Sequence, residues 1–217
     1  MGNVDWQSLI GPLLQLVDLG GPVVAVLAAV SVLTLAVVLY KLWQFQRAAV
    51  GRHRALTLAL EHWDRGEADA AKAALAKSRS YLAPVFALAI AQSAAPEGLS
   101  DRLMAEADTR FAKLERSFRF LDSVAQLAPL LGLFGTVLGM IEAFQSLQGA
   151  GAQVDPSILA GGIWVALLTT AVGLAVAMPT SLVLSWLESR MQAERVLGDR
   201  LIAVALRPAS VGDARAA

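Results

Sequence analysis

Threonines inside two apolar stretches are the residues whose types and spacing could do chemistry in this chain. Thr136 lies in residues 127–141, Thr169 and Thr170 lie in residues 161–174, and neither stretch has a charged residue. In a membrane helix, a hydroxyl can hydrogen bond to water or assist a proton. The two stretches therefore predict a shared polar path. Simple packing is the alternative, because a buried threonine can return its hydroxyl to the carbonyl four residues back.

The same stretches carry glycines at helical spacing. Gly132, Gly135 and Gly139 share one helix face, and the last two form a GxxxG pair. Gly162 and Gly173 lie on a similar face of the second stretch. Small residues let helix backbones approach closely, so these five glycines are predicted to pack helices together.

Glu142 and Pro179 are two further candidates. Glu142 ends the first apolar stretch, where a carboxylate at the membrane surface costs little. The alternative is that it faces an outer pore mouth and gathers protons. Pro179 removes a backbone hydrogen bond inside the second apolar helix and is predicted to kink it.

Hydropathy predicts an all-α protein with three membrane-spanning helices. Apolar residues make up 56% of the chain, charged residues make up 17%, and the mean hydropathy is +0.57. Charge-free windows cover residues 19–40, 123–141 and 156–187, and each has about the 20 residues that cross a bilayer or more. The third would be roughly 48 Å long as a helix, so we expect it to tilt or to project beyond the membrane.

Basic residues follow the first and third spans. Residues 1–18 and the connection between the second and third spans have no Lys or Arg. The positive-inside rule therefore places the N-terminus outside and the C-terminus inside. A cleaved signal peptide would need basic residues before the first span and is not expected. The predicted segments are a periplasmic amphipathic segment (1–18), a first transmembrane helix (19–40), a cytoplasmic helical region (41–122), a second transmembrane helix (123–147), a short periplasmic loop (148–156), a third transmembrane helix (157–187) and a cytoplasmic tail (188–217).

The cytoplasmic helical region is predicted to extend both neighbouring helices. The first helix is expected to continue to about Leu60, and Ser100 to cap a helix that runs from Leu103 straight into the second span. An apolar stripe on that helix is expected to pack within the region's own bundle, a neighbouring subunit being the other candidate. The stripe consists of Leu103, Ala107, Phe111, Leu114, Phe118 and Leu121.

Several function classes lack support in the sequence. No catalytic set, phosphate loop or metal spacing can be assembled, so neither an enzyme nor a cofactor is expected. The two histidines, His53 and His62, are expected on solvated helix faces, and there are no cysteines. A net charge of zero gives no reason to expect nucleic-acid binding. No ionisable residue lies mid-span either, so this chain conducts nothing or relies on a partner's titrating group.

Residues 127–141, followed by residues 161–179, resemble the signature of the ExbB/TolQ/MotA proton-channel superfamily. Three spans, an outside N-terminus and a large inner loop are similar to the ExbB and TolQ branch, and ExbB, the biopolymer transport protein, is the nearest type. The flagellar stator branch has four spans. The resemblance covers roughly residues 103–187 by motif and the rest by topology.

The resemblance implies a ring of such subunits in the bacterial inner membrane, pentameric in known members, around helices of a single-span partner such as ExbD or TolR. The partner's membrane aspartate would be the titrating group, and a TonB-like protein would carry the work to the outer membrane. By motif match, Thr136 and Thr170 correspond to pore-lining threonines, with Thr169 in support. Many members carry a glutamate where this chain has Val165, so roles proposed for that glutamate do not transfer.

Three alternatives to an ExbB-like role follow. A TolQ-like subunit for envelope integrity and cell division would use the same membrane chemistry. A structural scaffold without ion flux would tolerate the loss of the threonine hydroxyls. A membrane enzyme would require a polar cluster at the membrane surface.

Overall fold

The computed structural model describes residues 6–92, 98–149 and 156–209, and every regular element within them is an α-helix. The helices are α1 (Trp6–Arg47), α2 (Arg54–Asp64), α3 (Ala68–Ala76), α4 (Ala83–Ala91), α5 (Leu99–Glu115), α6 (Phe118–Gly149) and α7 (Pro156–Leu206). Three helices are long and apolar enough to cross a membrane, over Gly20–Arg47, Phe118–Gly149 and Leu159–Leu206. The predicted all-α class with three spans is therefore confirmed. Parts of the predicted N-terminal segment (1–5), periplasmic loop (150–155) and C-terminal tail (210–217) lie outside the described residues.

Helix α1 is kinked at Gly21. The φ and ψ angles of Gly21, 66° and −163°, lie outside the helical range. Pro22 follows, and a proline drives the preceding residue out of the α region. Glycine takes a positive φ at little steric cost. Residues before and after this point therefore form two helical segments.

The chain divides into two compact units, of which the first comprises Met1–Val38 and Phe118–Leu184. Large apolar side chains on its helices also point outward, among them Val32, 67% exposed, and Leu182, 74% exposed. Extensive outward apolar surface marks contact with lipid or with other protein chains. The core of this unit draws on α1, α6 and α7 and consists of Leu27, Val124, Ala128, Val176 and Ala177.

The second unit comprises Leu39–Ser117 and Ser185–Ala217. Helix α7 is held there by several side chains. Trp63 Nε1 donates to the carbonyl of Ala205 over 3.1 Å, and Phe111 packs so close to Gly198 that an added Cβ would lie 2.9 Å from its Cζ. The prediction that the apolar stripe packs inside this region is confirmed for its α5 members, which are buried: Leu103, Ala107, Phe111 and Leu114.

The predicted unbroken helix from Leu103 into the second span is wrong. Helix α5 ends at Glu115 and α6 begins at Phe118. Near the end of α5, Lys41 Nζ, on a residue that is 1% exposed, donates to the Leu114 oxygen over 2.8 Å. A lysine is also favoured at the negative end of a helix dipole, so Lys41 stabilises the break.

Three further expectations are wrong. Helix α1 ends at Arg47 and does not continue to Leu60, because the following turn contains residues with positive φ. Ser100 lies inside α5, whose N-cap is Gly98 with a φ of 95°. The His53 side chain is 8% exposed and therefore does not lie on a solvated face.

His53 is buried because it bonds to Glu194 of α7. The Glu194 carboxylate accepts from His53 Nε2 over 2.7 Å, from the Gly51 amide over 2.7 Å and from the Tyr81 hydroxyl over 2.8 Å. Burial, the largest single influence, would raise the pKa of Glu194, but these hydrogen bonds together outweigh it and lower the pKa below the usual 4.5. The carboxylate is therefore stabilised in its ionised form.

This depressed pKa predicts how the stability of the second unit depends on pH. A group whose pKa is lowered on folding contributes stability above its unfolded pKa, and that stability is lost as the pH falls through the folded value. We expect the wild type to be more stable than Glu194→Gln at about pH 6, with the difference shrinking towards about pH 3. Thermal unfolding in detergent across this range measures it, and a difference that stays constant would contradict the prediction.

Candidate functional site

The contact between α6 and α7 in the first unit is built around Thr169. This residue is 2% exposed, and its hydroxyl is shared between the carbonyls of Ala166, at 2.7 Å, and Gly132, at 3.1 Å. A Cβ added to Gly135 would lie 2.6 Å from Thr169 Oγ1. Glycines on α6 therefore provide the room that Thr169 occupies.

The other predicted packing glycines lie along the same contact. A Cβ at Gly139 would lie 3.2 Å from the Cβ of Ala166, and one at Gly162 would overlap the Cβ of Ala143. A Cβ at Gly173 would lie 2.6 Å from a carbonyl oxygen of α6. The two helices approach almost backbone to backbone, as small-residue faces allow in membrane proteins.

Thr170 differs from its neighbour. Its hydroxyl oxygen is buried and has no hydrogen-bond partner among the described residues. An unpaired buried hydroxyl costs about 1–3 kcal/mol, and such groups call for a water, an ion or a functional role. Within the described residues, the Thr170 hydroxyl is therefore left unsatisfied by its own chain.

Thr136 is half-buried and donates to the carbonyl of Leu133 over 2.6 Å. Among the described residues, no hydrogen bond joins Thr136 to Thr169 or Thr170. The structure thus brings Thr169 into contact with α6 but does not connect the predicted path within one chain. A path over all three hydroxyls would need water or another chain.

The two remaining predicted residues are exposed on their helices. Glu142 is exposed on α6. Pro179 is exposed on α7, which is helical from Pro156 to Leu206.

Sequence reasoning missed hydroxyls in the wall of a largely apolar cavity in the first unit. A cavity of about 200 Å³ lies beside Pro179, between α1 and α7, and Ser31, Thr34 and Thr180 contribute to its wall. Thr34 and Thr180 each donate to the carbonyl four residues earlier. The available signal was the presence of Ser31 and Thr34 in the first charge-free window.

Most of the chain is similar in sequence to one known protein family. The model of the MotA/TolQ/ExbB proton channel family matches residues 62–197. The chain belongs to this family. Because the matched residues include the close contact between α6 and α7, the Thr169 contact and the Thr170 hydroxyl lie in the region shared with other members.

Some of the relatives of this protein are named ExbB and others are named TolQ. It is 33% identical over 170 residues to the biopolymer transport protein ExbB-like 1 of Synechocystis, across 73% of this chain and 64% of the relative. It is 46% identical over 61 residues to exbB1 of Vibrio cholerae, across 28% of this chain and 27% of the relative. It is 42% identical over 80 residues to the Tol-Pal system protein TolQ of Haemophilus influenzae, across 37% of this chain and 35% of the relative. Each match spans less than two thirds of the relative's length.

The parts of α6 and α7 that carry Thr136, Thr169 and Thr170 contain no titratable residue. Residues 123–141 of α6 and residues 156–187 of α7 contain no Asp, Glu, Lys, Arg or His. Val165 is half-buried one helical turn before Thr169. The polar groups here are neutral hydroxyls and backbone carbonyls, which can orient water but cannot carry a net charge.

A glycine substitution tests the tight helix contact. Gly135→Ala should cost about 1–3 kcal/mol of stability, because its methyl group would overlap Thr169 in a region with no spare room. Gly161→Ala is the matched control, since no atom lies within 4 Å of its added Cβ, and should be neutral or stabilising by up to about 1 kcal/mol. Denaturant titration in detergent micelles measures both. Equal effects of the two substitutions would show that the contact is not tight.

Proposed function

We propose that this chain is an ExbB-like subunit of an energy-transducing complex in the bacterial inner membrane. Such a complex would couple the proton motive force to active import across the outer membrane. The observation that carries the proposal is the buried Thr170 hydroxyl, which lacks a partner within the described chain and lies in a charge-free span. Membership of a proton channel family supports it.

The proton carrier in this proposal belongs to another chain. A proton that crosses hydrocarbon needs a titratable group or an unbroken line of water, and the spans of this chain supply neither charge nor a connected set of hydroxyls. A small single-span protein of the ExbD or TolR type, with one membrane carboxylate, would complete the path. Several copies of this chain, a pentamer by the resemblance, would surround that helix, and a TonB-like protein would pass on the work.

Each polar residue then has a distinct role. Once a change of rotamer uncovers its hydroxyl, Thr170 would hydrogen bond to the partner's carboxylate or to its water, and Thr136 would contribute a second hydroxyl to the same path. Thr169 would act indirectly, because its hydroxyl is committed to holding α7 against α6. Glu142 would lie at the outer mouth, and Pro179 would mark a bend in α7. The surrounding apolar surface would keep bulk water out.

The positive-inside rule supports the direction of the path. Arg47 ends α1, and Arg190, Arg195 and Arg200 lie in the second half of α7. The N-terminus would be periplasmic, and the second unit, with the C-terminus, would be cytoplasmic. Protons would therefore leave the path on the side of the second unit.

A TolQ-like role is the second candidate, and the match to the TolQ of Haemophilus influenzae favours it. The membrane chemistry would be the same, so only the partners separate the two roles. Purifying the complex from native membranes and identifying its small subunits by mass spectrometry would decide: an ExbD-like protein with a TonB-like protein supports import, and a TolR-like protein supports envelope integrity.

Removing the Thr170 hydroxyl tests the proposal. Thr170→Val keeps the shape of the side chain and removes an unpaired buried hydroxyl, so stability should be unchanged or rise by about 1 kcal/mol. Proton-coupled work should nevertheless be abolished, whereas Thr170→Ser should retain it. The measurement is proton flux in liposomes containing the purified complex, together with uptake by cells at matched protein levels.

The control is Thr109→Val, which removes an exposed hydroxyl on α5 and should leave flux and uptake unchanged. Normal flux and uptake by Thr170→Val would exclude a role for this hydroxyl and favour a scaffold without ion flux.

A further inference from the structure

Glu194 is a buried carboxylate to which the proton path gives no role. It lies on α7 in the second unit and is 3% exposed. None of the described lysines or arginines pairs with it; the adjacent Arg195 pairs with Glu115, at 2.8 Å, and with Asp108, at 3.1 Å. A buried ion without a strong cation is costly unless its hydrogen bonds are well satisfied, so its environment must supply them.

Three hydrogen bonds reach this carboxylate from three different parts of the second unit. Gly51 belongs to the turn after α1, His53 precedes α2, and Tyr81 precedes α4. His53 Nδ1 bonds in turn to Ser80 Oγ over 2.8 Å. The Glu194 side chain of α7 therefore hydrogen bonds to the turn after α1 and to the residues that precede α2 and α4.

The turn between α1 and α2 is conformationally unfavourable by itself. Ala49 has a φ of 55° and Gly51 has a φ of 75°. A left-handed conformation costs a residue with a Cβ about 1–2 kcal/mol, and it persists only where surrounding contacts over-determine it. The hydrogen bond from the Gly51 amide to Glu194 is such a contact.

Half-buried Tyr81 is suited to a permanent bond with this carboxylate. Burial and the charge of Glu194 raise the pKa of the Tyr81 hydroxyl well above its usual value, so the hydroxyl keeps its proton and donates. Arg110 Nη1 also binds the Tyr81 backbone oxygen over 2.9 Å. The donor is thus held in place from both its side chain and its backbone.

We propose that Glu194 is a positioning residue that locks the turn after α1 onto α7, and that proton-driven work requires this lock. The second half of the proposal rests on the proposed function. A subunit that converts proton flow into motion of another chain must hold its own helices still, since otherwise its own deformation absorbs the work. Directional hydrogen bonds to a buried group fix one register, whereas apolar packing tolerates sliding.

Two substitutions of Glu194 distinguish a role in hydrogen bonding from a role in filling space. In Glu194→Gln, the amide oxygen can accept from Gly51 and His53 while the amide nitrogen donates to the Tyr81 oxygen. Glu194→Ala can do none of this and removes the shared acceptor of all three hydrogen bonds. Rescue by glutamine, with failure by alanine, is the signature of a hydrogen-bonded lock.

The chain has no cysteine, which allows a specific probe of the turn. A nitroxide attached to Arg52→Cys, an exposed position in that turn, should give a restricted electron paramagnetic resonance spectrum in the purified complex. Adding Glu194→Ala should give a mobile spectrum, and adding Glu194→Gln should not. Glu188→Ala, at an exposed glutamate of α7, is the matched control and should match the parent spectrum.

The functional measurement uses the same substitutions without the probe. Glu194→Ala should lower proton-coupled flux in liposomes about tenfold at equal assembly, whereas Glu194→Gln and Glu188→Ala should stay within about twofold of the wild type. If Glu194→Ala fails to assemble, Tyr81→Phe removes a single donor and should loosen the turn and lower flux by intermediate amounts.

The two measurements separate the inference from the proposed function. A mobile turn in Glu194→Ala with undiminished flux would overturn the positioning role, and an unchanged spectrum would overturn the lock itself. If the wild-type complex conducts no protons with any single-span partner, the proposed function fails while the spectra still test the lock.

Discussion

The near contact of the α6 and α7 backbones around Thr169 is the constraint on which the membrane part of this protein depends. Two helices in lipid gain little from burying apolar side chains, because lipid tails are equally apolar. They associate here through close approach at Gly132, Gly135 and Gly173, and through the hydroxyl of Thr169. The fixed contact leaves the next residue, Thr170, without a partner of its own.

Adjacent threonines of α7 differ in whether their buried hydroxyls have a partner inside the described chain. Thr169 is satisfied inside the chain, so its contribution is rigidity. Thr170 is unsatisfied among the described residues, and the proposed function gives its hydroxyl a partner on another chain. The absence of any charge in this part of α6 and α7 means that, in the proposed function, these helices would form a neutral wall along the route of a proton whose charge another molecule holds.

Much of this arrangement could be predicted from the sequence, because membrane helices obey simple rules. Charge-free windows gave the three spans, and the spacing of Gly132, Gly135 and Gly139 indicated one packing face. The differing roles of Thr169 and Thr170 could not be predicted, since both are threonines at neighbouring positions. Only the rotation of α7 against α6 distinguishes them. The prediction that His53 lies on a solvated face was wrong because its side chain bonds to Glu194, a residue distant in sequence.

The break between α5 and α6 has a consequence for how the chain is made. The carbonyl of Leu114 accepts from Lys41, a residue 73 positions earlier, so this contact at the end of α5 is not local in sequence. During synthesis α1 emerges first, and the bond forms only when α5 folds back against its end. Until then the stretch around Leu114 can continue as helix towards Phe118. The bond at the end of α5 can therefore form only after residues 41 and 114 have both been synthesised and have met in the second unit.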